Sequence, residues 1–276
     1  MFDKKCFMEE IIKTSSDMWE KGWAERNAGN ISVRLKEDDL KSSILNQNSE
    51  QWINLNKPLK NLTGEFFLVS GTGRYLRNIQ CAPDKNLGII EINDMGNAYR
   101  VVWGYTVGGG PTSELPAHLQ AHSIRKDVTK GNDRAIIHTH PTNLIALTYA
   151  LQLNTASITK LLWEMHAECI VVFPEGVEYL PWMMAGSDVI AEATARAFLK
   201  RNIVIWEYHG IFATGRNLDT AFGLIDTAEK AAEIYIKVAS MGGVRQKLSM
   251  EQLKAIAANF KQVPAEDIMS FESVKI

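Results

Sequence analysis

The sequence has little cysteine, and its three cysteines stand far apart. Cys6, Cys81 and Cys169 form no Cys-x-x-Cys pair. Their spacing excludes the disulfide frameworks of small secreted domains and the usual cysteine-rich zinc sites. We therefore expect reduced thiols, and we expect that sulfur does not ligate any metal that the protein binds.

Long hydrophobic runs and an excess of one charge are also missing. No apolar run reaches the roughly 20 residues that a transmembrane helix needs. The first residues are mixed in charge, unlike a signal peptide, with Asp3, Lys4, Lys5, Glu9 and Glu10. A net charge of −2 gives no electrostatic reason to expect nucleic acid or an anionic membrane as a partner. These observations predict a soluble, cytoplasmic protein.

Two common nucleotide-binding motifs are absent as well. The chain contains no P-loop, and no GxGxxG stands between a strand and a helix. Repeats and low-complexity tracts are absent. With 276 residues, 46% hydrophobic and 22% charged, the composition is that of an ordinary globular protein. We find no linker, and we expect a single domain over residues 1–276.

The pattern of apolar residues predicts helices flanking a sheet. Helices are predicted at 7–21, 114–126, 143–151, 188–200 and 218–240, and from a capping box at Ser249 and Gln252. Strands are predicted at 31–35, 66–70, 88–92, 99–103 and 169–173, and in the runs that end at His138 and His209. Residues 36–62 are polar and predict a surface excursion. Because regular βαβ alternation fails in the first hundred residues, we expect an α/β domain with a central, largely antiparallel sheet.

A His-x-His pair is the clearest chemical signal. His138 and His140 close the apolar run 134–137 and precede the breaker Pro141. Residues i and i+2 of a strand point to the same face, so both imidazoles can bind one zinc ion or a similar divalent metal. Two separately hydrogen-bonded histidines are the alternative, and the pair alone favours neither.

A third histidine favours a metal site over two separately hydrogen-bonded histidines. His209 ends the strand-like run 203–208 and is followed by Gly210. Three histidines leave one position of a tetrahedral zinc open, which distinguishes catalytic sites from structural ones.

The nearest acidic candidate is Glu114. It lies in the segment 111–118, where Ser113 is predicted to be an N-cap and Pro116 is tolerated in the first helical turn. On its own the segment slightly favours a role for Glu114 in stabilising that turn. Beside three histidines, a general base or a displaceable fourth ligand is the better interpretation.

Three short turns can hold an anion. Asn27-Ala28-Gly29-Asn30 precedes a strand, Ser70-Gly71-Thr72-Gly73 follows one, and Thr112-Ser113 opens a helix. Backbone N–H groups of glycine turns and helix N-termini, together with hydroxyl and amide donors, bind phosphate. Each alone is more often an ordinary turn. His118 and His122 have a helical spacing that can bind metal, but without a glutamate next to His118 we expect them to pack or to face solvent.

Together these motifs resemble those of the class II zinc-dependent sugar-phosphate aldolase family. The three turns, the Thr-Ser-Glu segment, the His-x-His pair and the late His-Gly carry the resemblance. Longer matching stretches at 111–118, 143–149, 171–174 and 222–230 extend it over about residues 7–260. Two positions depart from the family pattern: Ala28 stands where glycine is usual, and Thr72 where serine is usual.

The resemblance implies a site and a reaction. It implies one zinc ion per subunit, held by His138, His140 and His209, and a catalytic acid/base at Glu114. It implies that the phosphate of a sugar-phosphate substrate binds to Asn27, Asn30, Thr72, Thr112 and Ser113. The implied reaction is the metal-assisted retro-aldol cleavage of a ketose phosphate, which needs no lysine Schiff base.

Two further expectations come from the same resemblance. Glu168 resembles a second carboxylate of the family that handles a hydroxyl proton, although a solvated acid before a strand is an equally good interpretation. The assembly is expected to be a homotetramer, with active sites close to the subunit boundaries.

Rival functions share parts of this pattern. Ketose-phosphate 4-epimerases and a sugar-phosphate dehydratase use the same scaffold with zinc and phosphate sites, and the long matching stretches argue against them. Relatives that serve as metal-free cytoskeletal adaptors should lack the three histidines. The presence of the histidines together with Glu114 favours catalysis.

Overall fold

A nine-stranded mixed sheet organises the part of the chain that the computed structural model describes, residues 6–36, 39–40 and 51–270. Its strands are β1 (Asn30–Leu35), β2 (Ile53–Asn54), β3 (Phe66–Ser70), β4 (Leu87–Ile92), β5 (Ala98–Gly104), β6 (Ala135–Thr139), β7 (Glu178–Leu180), β8 (Ile203–Trp206) and β9 (Gly210–Gly215). Their order is β2-β5-β4-β3-β1-β6-β9-β8-β7. Among these strands only β7 and β8 pair in parallel, which confirms the predicted, largely antiparallel sheet.

Helices cover both faces of the sheet. They are α1 (Cys6–Glu20), α2 (Pro83–Asn86), α3 (Leu115–Val128), α4 (Thr142–Ala150), α5 (Thr155–Met165), α6 (Ala167–Val172), α7 (Asp188–Ala197), α8 (Leu218–Ser240), α9 (Met250–Asn259) and α10 (Glu266–Met269). Two short 3-10 helices lie at Lys60–Leu62 and Leu76–Asn78. None of the described helices combines the length and the apolar character that crossing a membrane requires.

Side chains alternate between the two faces of the sheet along each strand, so the core lies in layers on both faces. Ile137 of β6 belongs to the cluster that contains residues of α1, α5 and α8. Its neighbour Ile136 belongs to a second cluster, with residues of α3 and α7. Because successive side chains of a strand point to opposite faces, β6 is apolar on both sides and reads as a continuous hydrophobic run.

One predicted strand is wrong. Residues 169–173 were expected to be extended, but residues 167–172 form α6, which begins after His166. The His166 side chain accepts a weak hydrogen bond from the backbone N–H of Glu168 at 3.4 Å. The helix packs against α5, α8 and α9 and buries Cys169 and Ile170. Tertiary packing therefore overrides the local β-propensity of this Ile-Val-Val stretch.

The other predicted helices and strands are present, with small shifts in boundaries, except that the strand predicted to end at His209 ends at Trp206. The helix at 218–240 and the capping box at Ser249 and Gln252 are present as predicted. Of the predicted polar excursion at 36–62, residues 37–38 and 41–50 lie outside the described residues. The described remainder contains β2 and a 3-10 helix. Helix α5 and the strands β7 and β9 were not predicted.

A buried carboxylate on α8 holds the beginning of α4. Glu229 accepts hydrogen bonds from the backbone N–H groups of Asn143 and Leu144, both at 2.9 Å. The N-cap residue of α4, Pro141, makes no side-chain capping bond, so Glu229 satisfies donors that the first turn leaves free. Since α4 begins two residues after His140, this contact also fixes the path of the chain beyond the strand-end histidines.

Replacing Glu229 should destabilise the fold. Glu229→Ala leaves the buried Leu144 N–H and the part-buried Asn143 N–H without their acceptor, so we expect the free energy of unfolding to fall by about 2–3 kcal/mol. Urea denaturation measures it. Glu233→Ala is the matched control on the same helix, because Glu233 pairs only with the lysines Lys230 and Lys237 at the surface and should change the midpoint much less. Equal losses in the two variants would contradict the capping role.

Candidate metal centre and substrate cavity

Three imidazoles converge where β6 ends beside the turn between β8 and β9. His138 lies on β6, between its partners Asn30 on β1 and Phe212 on β9. His140 follows the end of β6, and His209 lies in the turn just before β9. The ring centroids of the three histidines are 4.9–5.2 Å apart. One ligand atom from each lies within 4.8 Å of the others, an arrangement that can hold a metal ion.

The hydrogen bonds of the rings leave nitrogens free for a metal. His138 Nδ1 donates to the carbonyl of Ile211 at 3.0 Å, and its buried Nε2 has no hydrogen-bond partner among the described residues. His140 Nδ1 lies 2.8 Å from Glu25 Oε1. In metal-binding histidines, the ring nitrogen that does not bind the metal is typically held by a hydrogen bond of this kind. These observations fit a metal ion bound to the free nitrogens.

Burial favours the neutral form of the His138 and His209 rings. Loss of hydration lowers the pKa of His138 well below its usual value, and the nearby His140 and His209 lower it further. The same cause, with a contribution from His140, lowers the pKa of His209 to about 4. A neutral imidazole offers a lone pair, so the pocket favours the form that binds a metal cation.

The turn that presents His209 is locally constrained. Tyr208 adopts a left-handed backbone conformation with φ 62, which costs a non-glycine residue about 1–2 kcal/mol. At Gly210 a Cβ atom would lie 2.5 Å from the Thr139 carbonyl oxygen and 2.9 Å from His140 Cδ2. Only glycine allows this close approach of the turn to the end of β6.

Glu114 lies next to the histidines. Its Oε2 is 3.5 Å from His138 Nε2 and accepts a hydrogen bond from Asn30 Nδ2 at 2.9 Å. Burial raises the pKa of the Glu114 carboxyl, while the bond from Asn30 and the proximity of His140 partly oppose that rise. A carboxyl group with a raised pKa beside a metal site has the properties of an acid/base group.

The start of α3 differs from the prediction. Glu114, not Ser113, is the N-cap residue, and it makes no side-chain capping bond. Thr112 Oγ1 instead accepts a 3.3 Å hydrogen bond from the Glu114 N–H. Pro116 lies in the first turn as expected. The Glu114 carboxylate is therefore free to point at His138, and the Ser113 side chain is exposed to solvent.

A cavity of about 360 Å³ opens over these groups, and every residue predicted to bind the metal or the phosphate lines it, as does Glu114. Its lining residues are Glu25, Arg26, Asn27, Ala28, Gly29, Asn30, Gly71, Thr72, Gly73, Thr112, Ser113, Glu114, His138, His140 and His209. The three turns with anion-binding character therefore share one cavity with the three histidines.

Backbone pairing brings two of these turns together. Gly71 forms an isolated β-bridge with Pro111, and the Thr72 N–H donates to the Gly110 carbonyl at 2.9 Å. Because its N–H is used in this way, Thr72 offers a ligand its exposed hydroxyl. Gly29 has φ 77, whereas Ala28 does not have a positive φ. Alanine at position 28, where the family usually has glycine, therefore causes no backbone strain.

Two lining residues, Glu25 and Arg26, were not predicted. Glu25, which lies 115 residues before His140 in the sequence, hydrogen-bonds to the His140 ring and orients it. Arg26 brings a positive charge to the cavity. Neither has a local sequence signal beyond its proximity to Asn27. In contrast, Glu168 is exposed at the start of α6 and does not line the cavity. His118 and His122 are buried, which confirms packing rather than exposure.

Comparison with known proteins identifies the family. The model for the class II aldolase and adducin N-terminal domain matches residues 9–236. The chain therefore belongs to this family, which confirms the resemblance found in the motifs.

Similar relatives cover nearly the whole chain. The rhamnulose-1-phosphate aldolase of Pectobacterium atrosepticum is 48% identical over 263 residues, covering 94% of this chain and 95% of the relative. That of Mannheimia succiniciproducens is 47% identical over 265 residues, covering 95% and 97%. Among solved structures, a sugar-phosphate aldolase from Thermotoga maritima has a TM-score of 0.73 at 28% identity, covering 86% of this chain and 96% of that one.

Each histidine of the triad should be needed for metal binding. We expect His138→Ala, His140→Ala and His209→Ala to lose a bound divalent metal and still fold, because a chain of this size has a core that does not depend on the metal. Elemental analysis and circular dichroism measure the two properties. His166→Ala, remote from the cavity, is the control and should keep the metal. Full metal occupancy in any triad variant would remove that histidine from the ligand set.

Proposed function

We propose that the protein is a zinc-dependent lyase that cleaves L-rhamnulose 1-phosphate into dihydroxyacetone phosphate and L-lactaldehyde, in L-rhamnose catabolism. The observation that carries the proposal is the convergence of three imidazoles and the buried Glu114 on one cavity. The choice of substrate rests on the relatives named rhamnulose-1-phosphate aldolase, which match this chain at 47–48% identity.

Zinc is the metal that the donor set favours. Imidazole nitrogens suit zinc better than magnesium or calcium, which prefer oxygen ligands. His138, His140 and His209 would hold the ion and leave a coordination position open. When bound, zinc supplies a Lewis acid that stabilises negative charge on the oxygens of the ketose phosphate. Glu25 keeps the His140 ring in the orientation that binding requires.

Glu114 transfers the proton to C3. In the cleavage direction the C4 hydroxyl gives up its proton to solvent, its oxygen becomes the aldehyde oxygen, and the C3–C4 bond breaks. L-Lactaldehyde leaves, and the electron pair stays with C3. Glu114 then delivers to C3 a proton that it has taken up from solvent, which completes dihydroxyacetone phosphate. The raised pKa of the buried carboxyl suits this role, because an acid/base group works best when its pKa lies near the working pH.

The turns opposite the histidines bind the phosphate. Asn27, Thr72 and Ser113 present amide and hydroxyl donors to the cavity, and Thr112 Oγ1 fixes the backbone at Glu114. Arg26 adds a positive charge that attracts a dianion. Asn30 was also predicted to bind phosphate, but its amide already contacts Glu114 and His118, which leaves it one N–H group for a ligand.

We further infer a cytoplasmic homotetramer, as the family resemblance implies. Exposed apolar side chains that subunit contacts can cover include Tyr149, Trp182, Val189 and Leu199. The mass of the protein in solution checks the assembly, and a monomer that keeps its activity on dilution would contradict it.

A substrate panel tests the proposed reaction. We expect the zinc-loaded protein to release dihydroxyacetone phosphate from L-rhamnulose 1-phosphate faster than from L-fuculose 1-phosphate, and to leave L-ribulose 5-phosphate unepimerised. A coupled assay for dihydroxyacetone phosphate measures the rates. Removal of the metal should abolish release, and added zinc should restore it. Faster epimerisation or dehydration of another sugar phosphate would contradict the proposal.

Glu114→Gln separates the acid/base role from metal binding. Glutamine keeps the size and hydrogen-bonding capacity of glutamate but cannot exchange a proton at neutral pH. We expect the variant to keep its zinc and to lose turnover by about a hundredfold or more. Elemental analysis and the coupled assay measure both. A zinc-loaded variant with wild-type turnover would transfer the role to another group, and Glu168→Gln would be tested next.

A further inference from the structure

A chain of buried hydrogen bonds leads from Glu114 into the interior of the protein. Asn30 Nδ2 donates to Glu114 Oε2 at 2.9 Å, and Asn30 Oδ1 pairs with His118 Nε2. On the other side of the ring, His118 Nδ1 lies 2.6 Å from Ser32 Oγ. Ser32 Oγ in turn lies 2.8 Å from His122 Nε2. The two histidines are 0% and 1% exposed, so their polar atoms depend on these partners rather than on water.

Regular secondary structure aligns this chain. Asn30 and Ser32 are residues i and i+2 of β1, so their side chains leave the same face of the sheet. His118 and His122 are residues i and i+4 of α3, so they lie one above the other on a single helix face. This face of α3 lies against this face of β1. The two histidines of the helix therefore hydrogen-bond to Asn30 and Ser32 of the strand.

The donor and acceptor roles follow from the bond in which Asn30 Nδ2 donates to Glu114 Oε2. With its NH₂ group turned toward Glu114, Asn30 turns its carbonyl oxygen toward His118, and that oxygen can only accept. His118 then carries its proton on Nε2, and its Nδ1 accepts from the Ser32 hydroxyl. The Ser32 oxygen accepts from His122 Nε2–H. Burial lowers the pKa of His118 to about 3 and that of His122 well below its usual value, so both rings stay neutral.

We propose that His118, oriented by Ser32 and His122, is a positioning residue that fixes the amide of Asn30 and thereby aims the Glu114 carboxylate at the reacting carbon. The proposal rests on the proposed acid/base function of Glu114. An amide does not relay protons, so the chain positions Glu114 and does not supply it with protons. Without His118 the Asn30 amide is free to turn over, and its oxygen would then face the carboxylate and repel it.

Packing alone is the competing explanation for His118. Its ring lies 5.4 Å from that of Phe212, which stacks on His138 at 4.3 Å. Alanine at His118 would leave a cavity and perturb the metal centre through Phe212, so the test needs side chains that fill the space. Glutamine can place an N–H close to the position of the imidazole Nε2–H, whereas leucine fills the volume without a donor.

The pair His118→Gln and His118→Leu separates the two explanations. We expect His118→Leu to lower kcat by about ten- to a hundredfold, the scale of a misplaced catalytic group. Its KM and zinc content should stay within about twofold of wild type, because the phosphate turns and the triad are intact. His118→Gln should recover most of the lost kcat. Equal losses in the two variants, or wild-type kcat in His118→Leu, would overturn the proposal.

Ser32→Ala is a second, milder test that keeps the ring of His118. It removes the hydroxyl that donates to His118 Nδ1, so kcat should fall while KM and zinc content remain unchanged. An unchanged kcat in this variant would overturn the proposal. Thr159→Val is the matched control, because the buried Thr159 hydroxyl also makes two hydrogen bonds, both to Val177, away from the cavity. It should lower stability without changing kcat.

The hydrogen-bond chain can also be tested without turnover. Nitrogen NMR of histidine-labelled wild-type protein should show His118 protonated on Nε2, and protonation on Nδ1 would overturn the proposed orientation. A wild-type protein that shows this tautomer but cleaves no sugar phosphate would contradict the proposed function alone. The two failures are therefore distinguishable.

Discussion

The candidate site depends on the pairing of β6 with β9. Their register sets His138 opposite Phe212, and the turn before β9 then carries His209 to the end of β6, next to His140. Gly210 makes this approach possible, since a Cβ there would lie 2.5 Å from the Thr139 carbonyl oxygen. A shift of one residue in this register would move His138 to the opposite face of the sheet and separate it from the other two imidazoles.

Burial then shifts the pKa values of the groups that meet at the end of these strands. The same desolvation that lowers the pKa of His138 raises that of Glu114, although the two groups lie 3.5 Å apart. Both shifts favour uncharged forms, and a bound cation would reverse the balance for the carboxyl group. The site combines ring nitrogens available to a metal with a carboxyl group able to exchange a proton, and Asn30 connects that carboxyl to the interior.

The sequence predicted the parts of the site that local patterns encode. The i, i+2 spacing of His138 and His140 and the His-Gly at the end of a β-rich run are such patterns, and the structure brings these residues together. The role of Glu25 beside His140 was missed because it depends on contacts between distant segments. The strand predicted at 169–173 failed for the same reason, since packing against α5, α8 and α9 makes that segment helical. Tertiary contacts of this kind leave no periodic signal in the chain.

In the proposed reaction, the metal at the triad and the carboxyl beside it activate C3 of a ketose phosphate. Hydrogen exchange at C3 of dihydroxyacetone phosphate in heavy water, measured by NMR without any aldehyde, tests this claim most directly. We expect exchange by the zinc-loaded protein, its loss when a chelator removes the metal, and its return when zinc is added. Exchange that continues at the same rate in the metal-free protein would contradict a role of the metal in activating C3.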